Sequence, residues 1–165
     1  IPYATSFAPT SRSADGGTTW QPAVPRIQTP RQAIDDPIIS RADPKVVYVS
    51  GRDPESFAHV LYRSTDGGQT WEGNAVPEGE LVWEVAADPR FARTVYIATT
   101  RGDVYRSRDG GATWTSLTGN LPPGVQEIAL NHDGSILHVA TDRGMWERKM
   151  SAPRMRAVGR AASRP

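Results

Sequence analysis

The chain has 165 residues, enough for one domain with a sizeable core. Its 19 basic and 18 acidic residues give a formal net charge of +1, so bulk electrostatics gives no reason to expect a nucleic-acid or membrane-surface partner. The absence of cysteine excludes disulfides, thiol catalysis and cysteine-ligated zinc, and no apolar run approaches the roughly 18 residues that span a bilayer.

The first 30 residues are predicted to form part of a β-sheet unit. Residues 3–8 show some apolar and polar alternation, and residues 13–20 read Ser-Ala-Asp-Gly-Gly-Thr-Thr-Trp. The chain begins with Ile1 instead of methionine, so we expect that a signal segment or more of the protein preceded it.

Residues 31–77 are predicted to form a first complete unit of four strands. The β-branched run Val-Val-Tyr-Val-Ser at residues 46–50 is the clearest strand, and a loop or irregular inner strand is expected at residues 30–37. A further strand at residues 59–64 leads into a second octapeptide, Ser-Thr-Asp-Gly-Gly-Gln-Thr-Trp, at residues 64–71.

Residues 78–122 are predicted to repeat this plan. An inner strand at residues 81–86 is followed by a β-branched run at residues 94–98. The strand at residues 104–107 then leads into a third octapeptide, Ser-Arg-Asp-Gly-Gly-Ala-Thr-Trp, at residues 107–114.

Residues 123–150 are predicted to form an incomplete unit. Strands are expected at residues 125–130 and 136–140, but Arg-Lys-Met-Ser at residues 148–151 stands where an octapeptide would begin. Residues 151–165 hold four arginines among alanine, serine, glycine and proline, which predicts a disordered basic tail or a linker.

The three octapeptides share the pattern Ser-x-Asp-Gly-Gly-x-Thr-Trp, and their serines lie 51 and 43 residues apart. A recurrence at this spacing indicates a repeated supersecondary unit. Asp-Gly-Gly favours a turn, and the tryptophan can hold a hairpin against its neighbour, so a structural role is predicted for each position. The predicted structural positions are Ser13, Asp15, Gly17, Thr19, Trp20, Ser64, Asp66, Gly68, Thr70, Trp71, Ser107, Asp109, Gly111, Thr113 and Trp114.

The structural interpretation makes a prediction about stability, and it has one alternative. Replacing Trp114 by alanine should cost about 3–5 kcal/mol, as for truncation of a buried aromatic side chain. A calcium loop is the alternative, but alternating Asp or Asn ligands and a glutamate at the twelfth position are missing. We therefore predict neither a metal site nor a cofactor.

The octapeptide resembles the Asp-box, or BNR repeat, of β-propellers. Sialidases, xyloglucan-cleaving glycosidases, sortilin-type receptors and photosystem II assembly factors carry this repeat. The resemblance implies four-stranded antiparallel blades, with the motif between the third and fourth strands and away from the functional face. It also favours a secreted or periplasmic location, but enzymes and non-enzymes share the motif, so it does not determine the chemistry.

About three blades can be counted in this all-β chain, whereas propellers close with roughly four to eight. An open arc leaves its terminal blades with an uncovered face. We therefore expect a segment of a larger propeller, whose remaining blades lie outside these residues. The alternative is self-association, in which two copies close a six-bladed ring.

Ligand binding is predicted on the face opposite the Asp-box turns. Three turns there, at residues 51–53, 101–103 and 142–144, each contain an arginine and an aspartate, and guanidinium groups bind carboxylates, phosphates and sugar acids. The alternative is that these side chains are solvated or pair with each other. On the inner strand, Trp83 can stack on a sugar near Glu84 or can fill space between blades. The candidate ligand-binding residues are therefore Arg52, Asp53, Trp83, Glu84, Arg101, Asp103, Asp142 and Arg143.

The sequence favours a non-catalytic scaffold that recognises a protein or a carbohydrate. The alternative is a fragment of a sialidase-like or xyloglucanase-like glycoside hydrolase with catalytic residues partly outside the chain. Such enzymes need two carboxylates roughly 5–10 Å apart. Asp35, Asp36, Asp53 and Glu84 are candidates, but spacing identifies no pair, and Pro-Arg-Ile-Gln at residues 25–28 poorly matches the sialidase Arg-Ile-Pro element. No catalytic residue is assigned.

Overall fold

The fold is built almost entirely of β-strands. A computed structural model describes residues 3–4, 11–13, 15–22, 37–53, 55–56 and 58–150, and in these residues it has fourteen strands and one short 3-10 helix. The strands form four antiparallel sheets. Within the same residues, no helix is long and apolar enough to cross a membrane. The predicted basic tail at residues 151–165, the candidate carboxylates Asp35 and Asp36, and residues 25–28 lie outside the described residues.

Two of the sheets contain four strands each, in simple meander order. The first comprises β4 (Ile38–Ile39), β5 (Val47–Arg52), β6 (His59–Ser64) and β7 (Glu72–Ala75). The second comprises β8 (Val82–Ala87), β9 (Val95–Thr99), β10 (Val104–Ser107) and β11 (Thr115–Ser116). The 3-10 helix at Pro77–Gly79 joins them. The predicted all-β architecture of four-stranded antiparallel blades is confirmed.

The other two sheets have three strands each in the described part of the chain. The N-terminal sheet comprises β1 (Tyr3–Ala4), β2 (Ser11–Arg12) and β3 (Gln21–Pro22). The C-terminal sheet comprises β12 (Val125–Leu130), β13 (Ile136–Thr141) and β14 (Gly144–Lys149). For brevity, the sheets are called sheets 1 to 4 in chain order.

The core lies between neighbouring sheets. Between sheets 2 and 3, Tyr48 and Leu61 are buried together with Val76, Val95 and Ile97. Strand β9 is buried along its whole length because both of its faces are covered, and its β-branched and aromatic residues suit such a strand. A second cluster between sheets 3 and 4 is formed by Tyr96, Val104, Leu117, Ile128 and Leu137, among others.

Each Asp-box forms a hydrogen-bonded turn between two strands. In sheet 3, the hydroxyl of Ser107 donates to Asp109 Oδ1 at 2.7 Å and accepts from the Gly111 amide at 2.7 Å. Asp109 accepts from the amide of Thr113 at 2.9 Å and from its hydroxyl at 2.6 Å. The other two copies repeat these bonds, so one local network closes all three turns.

The three tryptophans of the motif differ in burial. Trp20 is 45% exposed, whereas Trp71 packs beside Tyr62 and Val49. Trp114 is half-buried against the core between sheets 2 and 3, and its Nε1 donates to the carbonyl of Ala75 at 3.0 Å. Because Trp114 is not fully buried, its replacement by alanine should lower the free energy of unfolding by less than the ~3–5 kcal/mol that is typical of a core aromatic side chain.

Acid should destabilise the Asp-box turns. The hydrogen bond from the Thr113 hydroxyl, followed by that from its amide, lowers the pKa of Asp109 from 3.8 to about 2. Equivalent bonds lower the pKa of Asp15 and Asp66. A carboxylate whose pKa is lower in the folded state than in the unfolded state stabilises the fold at pH values above its unfolded-state pKa. This stabilisation is lost as the pH falls through its folded-state pKa.

We therefore expect the urea midpoint of unfolding to fall between about pH 4 and pH 2. Circular dichroism at a series of pH values measures this. Asp109→Asn should lower the midpoint at pH 7 and weaken its dependence on pH below 4, whereas Glu127→Gln, at an exposed position of β12, is the control. Identical acid profiles for wild type and Asp109→Asn would contradict the assignment.

Candidate functional site

Loops of neighbouring sheets meet on the face opposite the Asp-boxes. The turn between β9 and β10 is closed by a hydrogen bond from the Gly102 amide to the Thr99 carbonyl at 2.9 Å. Gly102 has φ +87°, and a Cβ there would lie 3.3 Å from the backbone nitrogen of Gly124. Glycine therefore permits this turn to pack against the segment that leads into β12, and sheets 3 and 4 share one loop surface, called the loop face below.

Arg101 lies at the tip of this turn and is 67% exposed. Its Nη1 is 3.1 Å from Glu80 Oε1 and 3.4 Å from Glu78 Oε2, so it pairs with two glutamates of the preceding connection. The Glu80 side chain is only 3% exposed, and its Oε2 has no hydrogen-bond partner among the described residues. The sequence interpretation missed both glutamates because they lie 21 and 23 residues before Arg101.

Asp103 is held within its own sheet. It accepts a hydrogen bond from the Thr118 hydroxyl at 3.0 Å, and the same hydroxyl accepts one from the Val104 amide at 3.0 Å. Burial raises the pKa of Tyr105, and the negative charges of Asp103, Glu80 and Glu78 raise that pKa further. At Tyr105, the effect of these three carboxylates thus outweighs that of Arg101.

Trp83 links sheets 3 and 4 at the loop face. Its Nε1 donates to the backbone carbonyl of Gln126 at 3.0 Å, and the side-chain Nε2 of Gln126 donates to Asp142 Oδ1 at 2.8 Å. The indole is nevertheless 55% exposed, so more than half of its surface is accessible to a ligand. Glu84, one residue further along β8, is half-buried.

The remaining predicted residues lie on separate loops. Asp53 accepts hydrogen bonds from the amide and the hydroxyl of Ser56, both at 2.7 Å, and the first of these is the main cause of its lowered pKa. Arg52 accepts a hydrogen bond at its carbonyl from the Tyr62 hydroxyl at 3.0 Å. Arg143 is exposed beside Asp142. The structure therefore brings Trp83 and Asp142 together through Gln126, while Asp53 caps its own loop.

The carboxylates of this face do not form a recognisable metal site. Within the described residues, no group of three or more His, Asp or Glu side chains could hold a metal ion. A general acid of a glycosidase needs a raised pKa, whereas that of Asp53 is lowered. The loop face therefore presents an exposed indole beside charged side chains.

A protein-family model matches part of this chain. Residues 59–151 match the Sortilin-Vps10 model, described as sortilin, neurotensin receptor 3. The match spans sheets 3 and 4 and begins at strand β6 of sheet 2. No curated protein matches the chain by sequence.

Solved structures share the fold at low sequence identity. The GH74 xyloglucanase from Xanthomonas campestris is 15% identical with a TM-score of 0.66, covering 88% of this chain and 26% of its own. YCF48 from Cyanidioschyzon merolae is 20% identical with a TM-score of 0.54, covering 73% and 35%. A structure of YCF48 bound to D1 peptide is also 20% identical with a TM-score of 0.50, covering 72% and 39%. The chain thus spans roughly a quarter to two-fifths of these proteins.

Proposed function

Because this chain belongs to the Sortilin-Vps10 family, we propose that it is a propeller segment that recognises a protein or a carbohydrate through its loop face. The proposal concerns binding, with the blades as a rigid scaffold. The rigid, exposed indole of Trp83 is the observation that supports it most directly.

Trp83 has the properties of a preorganised contact residue. Its N–H group is already satisfied by Gln126, so a ligand can cover the ring without leaving that donor unpaired. Leu81 is also exposed, and its carbonyl accepts a hydrogen bond from Thr100, next to Arg101. This exposed apolar surface suits the stacking of a sugar or of an apolar side chain, whereas the arginine beside it is already paired with two glutamates.

Binding to two probes tests this proposal. The probes are a xyloglucan oligosaccharide and the D1 peptide, since the similar solved structures include a xyloglucanase and YCF48 bound to D1 peptide. We expect one of them to bind in titration calorimetry, and Trp83→Ala to weaken binding at least about tenfold, as for loss of a buried aromatic contact.

Trp20→Ala is the matched control, because Trp20 is also an exposed tryptophan but belongs to an Asp-box turn. It should bind like the wild type. The recognition proposal fails if neither probe binds the folded chain. It also fails if Trp83→Ala and Trp20→Ala weaken binding equally.

A glycoside hydrolase fragment remains the second candidate, supported by the structural likeness to the GH74 xyloglucanase. Its catalytic carboxylates would lie partly outside this chain. Release of reducing ends from xyloglucan by a longer protein that contains this segment, but not by the segment alone, would support this candidate. Binding of the oligosaccharide without hydrolysis by either protein would instead support recognition.

A further inference from the structure

Strand β8 contains a β-bulge at Trp83. Val82 pairs with Thr99 of β9, whereas Glu84 pairs with the preceding residue, Ala98, so Trp83 is an extra residue in β8. A bulge disrupts the ladder of backbone hydrogen bonds locally and redirects the side chain of the extra residue. In β8, the redirected side chain is the exposed indole of the loop face.

Strand β12 of the next sheet contains the equivalent bulge at Gln126. The pairing register shifts between Val125 and Glu127, so Gln126 has no opposite partner in β13. Its backbone carbonyl instead accepts the hydrogen bond from the Trp83 indole at 3.0 Å. The bulged residue of sheet 4 thus provides the acceptor that holds the bulged residue of sheet 3.

Asp142 fixes the bulge of β12 at two points. It lies directly after β13, and its Oδ1 accepts from the side-chain Nε2 of Gln126 at 2.8 Å. Its backbone amide donates to the Gly124 carbonyl at 3.1 Å. Gly124 has φ +84°, and a Cβ there would overlap Asp142 Oδ2, so a glycine is needed for this approach. The residues on either side of Val125 are therefore both attached to Asp142.

We propose that Asp142 is a positioning residue of the loop face, which fixes Gln126 and thereby holds the Trp83 indole in its exposed orientation. The sequence-based prediction was different, since it placed Asp142 in contact with the ligand. A side chain that is already fixed loses less conformational entropy when a ligand covers it, so this arrangement strengthens binding. The effect on binding rests on the function proposed above, whereas the orientation of Trp83 is measurable without a ligand.

Exchange of the Trp83 indole N–H with water, measured by NMR on the ligand-free chain, tests the assignment. The resonance that is absent from Trp83→Phe identifies this group. Asp142→Ala removes the acceptor of Gln126, so the Trp83 N–H should exchange at least about fivefold faster. Trp114 is the internal control, because its Nε1 also donates to a carbonyl of the neighbouring sheet, but it joins sheets 2 and 3. Its exchange should not change.

Three further variants separate positioning from other roles of Asp142. Asp142→Asn keeps an oxygen that accepts from Gln126 but removes the charge, so exchange should stay slow. Gln126→Met keeps the length of the side chain without its donor, and it should exchange as fast as Asp142→Ala, or carry the test if Asp142→Ala does not fold. Glu127→Gln, which removes a neighbouring carboxylate at an exposed position of β12, is the matched control. Urea unfolding followed by circular dichroism shows whether each variant is folded.

The same variants are then titrated with the xyloglucan oligosaccharide and the D1 peptide, the two probes of the proposed function. With the probe that binds, Asp142→Ala and Gln126→Met should weaken binding about fivefold. Asp142→Asn and Glu127→Gln should bind like the wild type. If neither probe binds, the recognition proposal fails, whereas faster Trp83 exchange in Asp142→Ala still supports the positioning role.

Three results would overturn this role. Unchanged Trp83 exchange in both Asp142→Ala and Gln126→Met would show that the backbone alone holds the acceptor. Equal acceleration at Trp114 would show that the whole chain is loosened. Slow Trp83 exchange in Asp142→Asn, together with binding as weak as in Asp142→Ala, would show that Asp142 contacts the ligand through its charge.

Discussion

Replacing Tyr48 by alanine is expected to lower the free energy of unfolding by about 3–5 kcal/mol, the usual cost of truncating a core aromatic. Tyr48 is 0% exposed and packs with Leu61 and Val95 between sheets 2 and 3. Its hydroxyl donates to the Ala92 carbonyl at 2.8 Å, in the connection between β8 and β9. Burial raises the pKa of Tyr48 to about 12. The substitution thus removes both packing and a hydrogen bond between two blades.

Urea denaturation followed by circular dichroism measures this effect. Tyr48→Phe keeps the ring but leaves the Ala92 carbonyl without its donor, so a cost of about 1–2 kcal/mol is expected. Met145→Ala, at an exposed position of β14, should change stability by less than about 0.5 kcal/mol. A cost below about 1 kcal/mol for Tyr48→Ala would show that sheets 2 and 3 do not form one cooperative core.

Gly110→Ala should be the second strongly destabilising change, at about 2–4 kcal/mol. Gly110 has φ +83°, which is strained for residues with a Cβ atom, and a Cβ there would overlap the guanidinium of Arg63. Arg63 reaches from sheet 2 to donate to the Asp109 carbonyl at 3.1 Å and also pairs with Glu72 at 2.8 Å. Moving its side chain would therefore disrupt the contact between two blades.

Gly16→Ala is the matched control for this prediction. Gly16 occupies the same motif position, with φ +75°, but no atom of the other described residues, its two chain neighbours aside, lies within 4 Å of the added Cβ. It should show only the backbone cost of about 1–2 kcal/mol. Equal losses of stability in urea for the two variants would mean that the contact between Arg63 and the Asp109 turn contributes nothing.

The sequence alone predicted the strands and turns because their causes are local. The β-branched run at residues 46–50 and the Asp-Gly-Gly turns depend on neighbouring residues, and strands β5, β6, β9 and β10 lie where the pattern placed them. The three Asp-boxes form the same hydrogen bonds from Ser and Asp in each copy. Repetition therefore identified both the unit and the propeller fold.

The candidate site could be predicted only in part. The turn at residues 101–103 was identified, but pairing of Arg101 with its own aspartate was not observed, because Glu78 and Glu80 come from a different connection. Exposure of Trp83 depends on the distance between β8 and β12, which the order of residues does not determine. The loop face consists of loops from both sheet 3 and sheet 4, so it is formed only by the packing of these two sheets.

The repeated tryptophans also show which features the sequence determines and which depend on the packing of the sheets. The motif is identical at Trp20, Trp71 and Trp114, and the sequence determined that each follows an Asp-Gly-Gly turn. Their burial differs because it depends on which neighbouring sheet each side chain meets. Local hydrogen bonding is encoded residue by residue, whereas contacts between blades arise only from the packing of complete sheets.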